Sequence, residues 1–192
     1  MAKGRRTICS FPTEILKPET IGDFIYYSAS EGDKILDSYS EEVHKYGPSS
    51  ESSFLAHIRN ILSNQSTIKH EEKKRVILVL DDAVSRPFFP KTTKSDSPLA
   101  QFMINCRHIP ANIIITSQKL NDLSPWQRSN SSHMFIWPTK SKIERSAIIN
   151  EAGGSDPKNL EAALDSLHEN ETLWIDKKRG VIHKGFNQTL IH

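Results

Sequence analysis

Cysteine is almost missing from this chain. Cys9 and Cys106 are the only two in 192 residues. That count excludes a disulfide scaffold and a cysteine-rich metal centre, and it fits a reducing compartment. No apolar run approaches the roughly 18–20 residues needed to cross a bilayer. Met1–Arg6 is basic, but Thr7–Pro12 follows instead of a sustained apolar stretch, so no secretory signal is read. Histidines show no His-Glu-x-x-His spacing, and the net charge of +2 is too small to argue a nucleic-acid partner. Glycine is sparse. None of the eight is followed by lysine, so these residues contain no Gly-x-x-x-x-Gly-Lys-Ser/Thr loop to cradle phosphates.

What is present points to an α/β fold. Arg75–Asp82 reads Arg-Val-Ile-Leu-Val-Leu-Asp-Asp. Such an apolar, largely β-branched run is expected of a strand buried on both faces in a parallel sheet. Asp81 and Asp82 fall where that strand must end, the edge at which open α/β sheets bind ligands. An adjacent acid pair there suits a hydrated Mg²⁺ ion, which is the Walker B arrangement of a phosphate-handling enzyme. A polar turn after a strand gives the same residues, since Asp is common in turns.

Pro110–Gln118 repeats the pattern, an Ile-rich strand followed by Thr116, Ser117 and Gln118. Its distance from the first strand suits one right-handed β-helix-β crossover, with Ser97–His108 as the helix. A Gln amide donates and accepts, so Gln118 could orient an attacking water if the two strands are neighbours. The simpler role is a strand-end polar group bonded to a loop.

The remaining chain reads as follows. Residues 1–22 form a basic, poorly structured lead-in, and 23–192 a single domain. Asp23–Ser28 is a strand, Ser38–Lys45 a short charged helix, and Ser52–Leu62 a helix with Phe54, Leu55, Ile58, Ile61 and Leu62 on one side. Residues 86–98, with three prolines, are an irregular loop. Leu123–Asn130 is a turn or short helix before strand His133–Trp137, which is assigned to the central sheet. Helices at Lys142–Ala152 (stopped by Gly153-Gly154) and Leu160–Leu167 precede a hairpin, Glu171–Asp176 and Val181–Gly185, expected at one sheet edge.

The order of these pieces resembles a known family. A strand ending Tyr-Tyr-Ser, then Leu-Val-Leu-Asp-Asp, Asn-Cys-Arg-His, Ile-Ile-Ile-Thr-Ser-Gln, Leu-Ser-Pro-Trp-Gln-Arg-Ser-Asn and Phe-Ile-Trp follow one another from Phe24 to Gly154. This is similar to the genome-packaging ATPases of poxviruses, other large DNA viruses and related mobile elements, in the FtsK–HerA branch of P-loop ATPases. The resemblance implies a mainly parallel P-loop-type sheet flanked by helices, with ATP and Mg²⁺ as cofactors. Asp81 would hold Mg²⁺ through water, with Thr116 beside the cofactor. Asp82 would polarise the attacking water, and Gln118 would act as the sensor. Arg128 and Arg107 would match arginines near the site or a subunit boundary; a solvated surface role is the commoner fate of either. The implied partners are double-stranded DNA, copies of the chain in a ring, and capsid proteins, inside a host cell or virion.

The missing phosphate loop departs from that family. It should precede the Tyr-Tyr-Ser strand, so the chain reads as the C-terminal part of a motor ATPase, inactive alone, with the N-terminal P-loop unit absent. An uncovered apolar sheet edge or face near strands 24–28 and 112–116 is expected to follow. The rival reading is a non-catalytic interaction or regulatory protein that keeps the fold. A metal-dependent nuclease is more remote, since it needs further carboxylates on partner strands. A receiver domain fails because Asp96 is the only acid between Asp82 and Thr116 and lies in a loop.

Overall fold

The computed structural model describes residues 21–30, 43–69, 72–94, 96–106, 108–152, 156–185 and 188–191. The described chain forms two compact units, where the sequence reading treats 23–192 as one domain. The first takes residues up to Phe88 and Asp96–Thr116; the second takes Phe89–Ser95 and everything from Ser117.

The first unit is built on four parallel strands: β1 (Ile21–Ser28), β2 (Val43–Tyr46), β3 (Arg75–Asp81) and β4 (Ala111–Ile115), in the order β2-β1-β3-β4. Helices α1 (Glu51–Thr67) and α2 (Pro98–Asn105) complete it. Alternation along β1 and β3 puts Ile25, Tyr27, Val76, Leu78 and Leu80 on one face, all fully buried. Tyr27 meets Phe54 of α1 at 5.2 Å between ring centroids and Phe88 at 4.9 Å, so α1 covers that face. On the other face Tyr26, Val79 and Asp81 are half-buried. Ser97 starts α2, its hydroxyl accepting from Ala100 N at 3.1 Å, with Pro98 at the first helical position.

Strands β3 and β4 are adjacent and parallel, as the crossover spacing predicts. Two expectations are corrected. The stretch expected to be helical over 38–45 contains β2 at Val43–Tyr46; residues 38–42 lie outside the described residues. Pairing of Val43–Tyr46 with Phe24–Tyr27 overrides the charge pattern that suggested a helix. An uncovered edge at 24–28 is also ruled out, because β1 pairs on both sides; among the described residues β4 and β2 are the edges.

The second unit holds an antiparallel sheet of β5 (His133–Ile136), β6 (Leu173–Asp176), β7 (Val181–Lys184) and β8 (Gln188–Ile191). Helices α3 (Pro125–Asn130), α4 (Lys142–Ala152) and α5 (Pro157–Asp165) belong with it. Strand 133–137 therefore does not extend the parallel sheet, and the C-terminal hairpin pairs with it instead of edging the first sheet. The cause is visible in the strand. Met134 and Ile136 pack on the core of Ile148, Leu160, Leu164, Leu173, Ile175 and Ile182, while His133 is exposed. One-sided alternation of that kind belongs to an antiparallel sheet with one face buried. The hairpin turn is locked by Asp176, which is buried and accepts from Lys178 N and Arg179 N at 3.0 and 3.1 Å, and by Gly180 at φ 69°. Gly153 and Gly154, read as the stop of α4, lie outside the described residues.

Candidate active site

Parallel pairing fixes the site, because it brings the carboxyl ends of β1, β3 and β4 to one edge. Ser28 is opposite Asp81 in the register, and Thr116 follows the Leu80–Ile115 pair, so all three fall on one face. The Thr116 hydroxyl donates to Asp81 Oδ1 at 2.6 Å, a short, charge-assisted bond. Ser28 Oγ and the Tyr26 hydroxyl donate to Asp81 Oδ2 at 3.2 and 3.3 Å. Three hydroxyls, two from β1 and one from the end of β4, thus converge on one carboxylate of β3, which fixes its position.

Asp82 turns the chain out of the sheet with φ 52°, the one left-handed non-glycine backbone among the described residues. Its N–H donates to Thr116 Oγ1 at 3.0 Å. Thr116 therefore accepts from one acid's backbone while donating to the other acid's side chain. Thr116 N bonds Leu80 O and Ala29 N bonds Asp81 O, each at 3.0 Å, extending the ladders through the site. All the donor atoms here are oxygens of carboxylates and hydroxyls, the hard set that suits Mg²⁺.

The other sequence candidates fall in the second unit or outside the described residues. Gln118 is exposed and lies in the second unit, two residues beyond Thr116. Arg107 lies outside the described residues. Arg128 is tied down within the second unit, its side chain 17% exposed: Nε pairs with Glu151 Oε2 at 3.1 Å, and one terminal nitrogen reaches Leu123 O and Asn121 Oδ1 at 3.2 Å. Lys177 joins that network through Glu151 Oε1 at 3.2 Å and Arg128 O at 2.9 Å. This gives Arg128 a structural task, holding the chain after a short turn at Leu120–Asp122.

Sequence reading missed Ser28 and Tyr26 as partners of Asp81; the signal was the Tyr-Tyr-Ser strand end, in register with the acid. It also missed Asp23, His44 and His57, whose donor atoms lie within 4.8 Å of one another. They come from three elements, so no local spacing marks them.

No family model matches the chain, and no curated protein matches it. Solved structures do. The DNA-packaging ATPase B204 from Sulfolobus turreted icosahedral virus superposes with a TM-score of 0.63 at 18% identity, over 93% of this chain and 87% of that one. The genome-packaging NTPase B204 from Sulfolobus turreted icosahedral virus 2, in complex with ATP-gammaS, gives 0.61 at 16% identity, over 90% and 85%. Its complex with AMPPCP gives 0.60 at 16%. The chain therefore has a packaging-ATPase-like fold of the P-loop NTPase type, a mainly parallel sheet flanked by helices with a C-terminal antiparallel hairpin.

Proposed function

We propose that this chain is an ATPase module of a DNA-packaging or translocating motor, working with copies of itself on double-stranded DNA. The observation that carries the reading is Asp81 held by Thr116, Ser28 and Tyr26 at the carboxyl edge of a packaging-ATPase-like parallel sheet. Asp81 and Thr116 would hold hydrated Mg²⁺ with ATP; the ion, when bound, neutralises charge on the β- and γ-phosphates. Asp82 would polarise the attacking water and Gln118 would orient it. Arg107 is the remaining candidate for an arginine acting near the nucleotide.

The absence of a Gly-x-x-x-x-Gly-Lys-Ser/Thr motif in these 192 residues favours a second reading, a non-catalytic relative that keeps the fold. Calorimetric titration with ATP–Mg²⁺ separates the two. The first reading expects weak binding, with a dissociation constant of about 1 mM because the phosphate cradle is missing. That binding should be lost in Asp81→Asn, with no turnover by the chain alone. Equal heats for wild type and Asp81→Asn would favour the second reading.

A further inference from the structure

We propose that Asp23, His44 and His57 form a binding site for a divalent transition-metal ion of the zinc type, at the amino end of the first sheet. His44 Nε2 and His57 Nε2 each lie 3.4 Å from Asp23 Oδ1. That separation is longer than ordinary N–H···O bonds. It does match the edge of a tetrahedron around zinc: ligands at about 2.0–2.1 Å stand roughly 3.3–3.4 Å apart. All three donor atoms lie within 4.8 Å of one another, so one ion can touch each. Two imidazoles and one carboxylate are a donor set that binds zinc and its neighbours and leaves a fourth position for water. The set does not suit Mg²⁺, which takes oxygen ligands.

The surroundings complete the argument. Asp23 is on β1, His44 on β2 in register with Ile25, and His57 on α1, all on the α1-covered face of the sheet. The Tyr46 hydroxyl lies 2.8 Å from His57 Nδ1, the outer-shell contact that orients a ligating imidazole and leaves Nε2 to the metal. His44 and His57 meet edge to face at 4.6 Å, which fixes both rings. His44 is 53% exposed, which leaves a path for the ion. Asp81 lies on the other face of the sheet and about five residues, or roughly 16 Å, farther along the strands. This proposal does not depend on nucleotide chemistry.

Zinc chloride alone, titrated into the full chain against a chromogenic chelator, tests it. One Zn²⁺ per chain should bind, Co²⁺ should give the intense visible bands of a four-coordinate site, and Mg²⁺ should not compete. His44→Gln, on an exposed side chain, should cut affinity at least tenfold with an unchanged circular dichroism spectrum. Tyr46→Phe should weaken it by about tenfold. His133→Gln, in the second unit, should leave it intact. Absence of stoichiometric zinc in the wild type, or full affinity in His44→Gln, overturns the site.

Discussion

Replacing Thr116 by Val removes one oxygen and keeps the shape. Two bonds go with it, the 2.6 Å bond to Asp81 Oδ1 and the 3.0 Å bond from Asp82 N. A hydrogen bond to a charged group contributes about 1.5–3 kcal/mol, and a donor left without its acceptor costs about 1–3. Thr116 is only half-buried, so water offsets part of each. The expected loss is about 2–3 kcal/mol. Thr116→Ser keeps the hydroxyl and gives up one methyl group, about 0.8 kcal/mol or less.

Urea denaturation followed by far-ultraviolet circular dichroism measures both. Tryptophan fluorescence does not report this site directly, because Trp126, Trp137 and Trp174 all belong to the second unit. With a slope near 2 kcal/mol per molar urea, Thr116→Val should lower the midpoint by roughly 1 M. Hydrogen exchange at the Asp82 amide should speed up with it. A Val variant within about 0.5 kcal/mol of wild type, or a Ser variant as weak as Val, would refute the claim that this hydroxyl organises the two acids.

Burial, and then the hydrogen bond it donates to Glu51, push the Tyr27 hydroxyl up from 10.0 to about 12. Its stabilisation is complete below pH 10 and is lost as pH rises through about 12, by roughly 2–3 kcal/mol; Tyr27→Phe should flatten that alkaline arm in pH-dependent denaturation. Arg128→Met should destabilise the second unit by about 2 kcal/mol through the lost Glu151 pair, read by tryptophan fluorescence. Unchanged stability there, with weakened ATP–Mg²⁺ binding by calorimetry, would instead make Arg128 a nucleotide-binding group. Phe54→Ala, at a fully buried ring between Tyr27 and Phe88, should cost about 3–5 kcal/mol by circular dichroism.

Elements with strong local signals were legible in the sequence. Strand β3 declared itself because a doubly buried strand needs an unbroken apolar run. Helix α2 did so through apolar residues near helical spacing, although its Ser97-Pro98 start was also assigned to the preceding loop. The hairpin's turn was legible because Gly180 supplies the positive φ that closes it. What failed was partner choice. Strand β2 has only four residues, and pairing with β1 decides its state. Strand β5 looked like a further parallel strand, yet its one-sided alternation shows that it was always suited to an antiparallel partner.

The same distinction explains the site. Asp81 and Asp82 were legible because a strand's end is a local event and acids there are conspicuous. Their organisation was not, since Ser28 and Thr116 reach Asp81 only through the register of two different strand pairs. The backbone of Asp82 bears on whether the pair is functional or a plain turn. A left-handed backbone costs a non-glycine residue about 1–2 kcal/mol, and glycine would occupy it freely. Aspartate is among the few other residues that visit this region, so the strained turn is compatible with the proposed role of its carboxylate and with a plain turn alike. Asp82→Gly, which keeps the turn and removes the carboxylate, separates them.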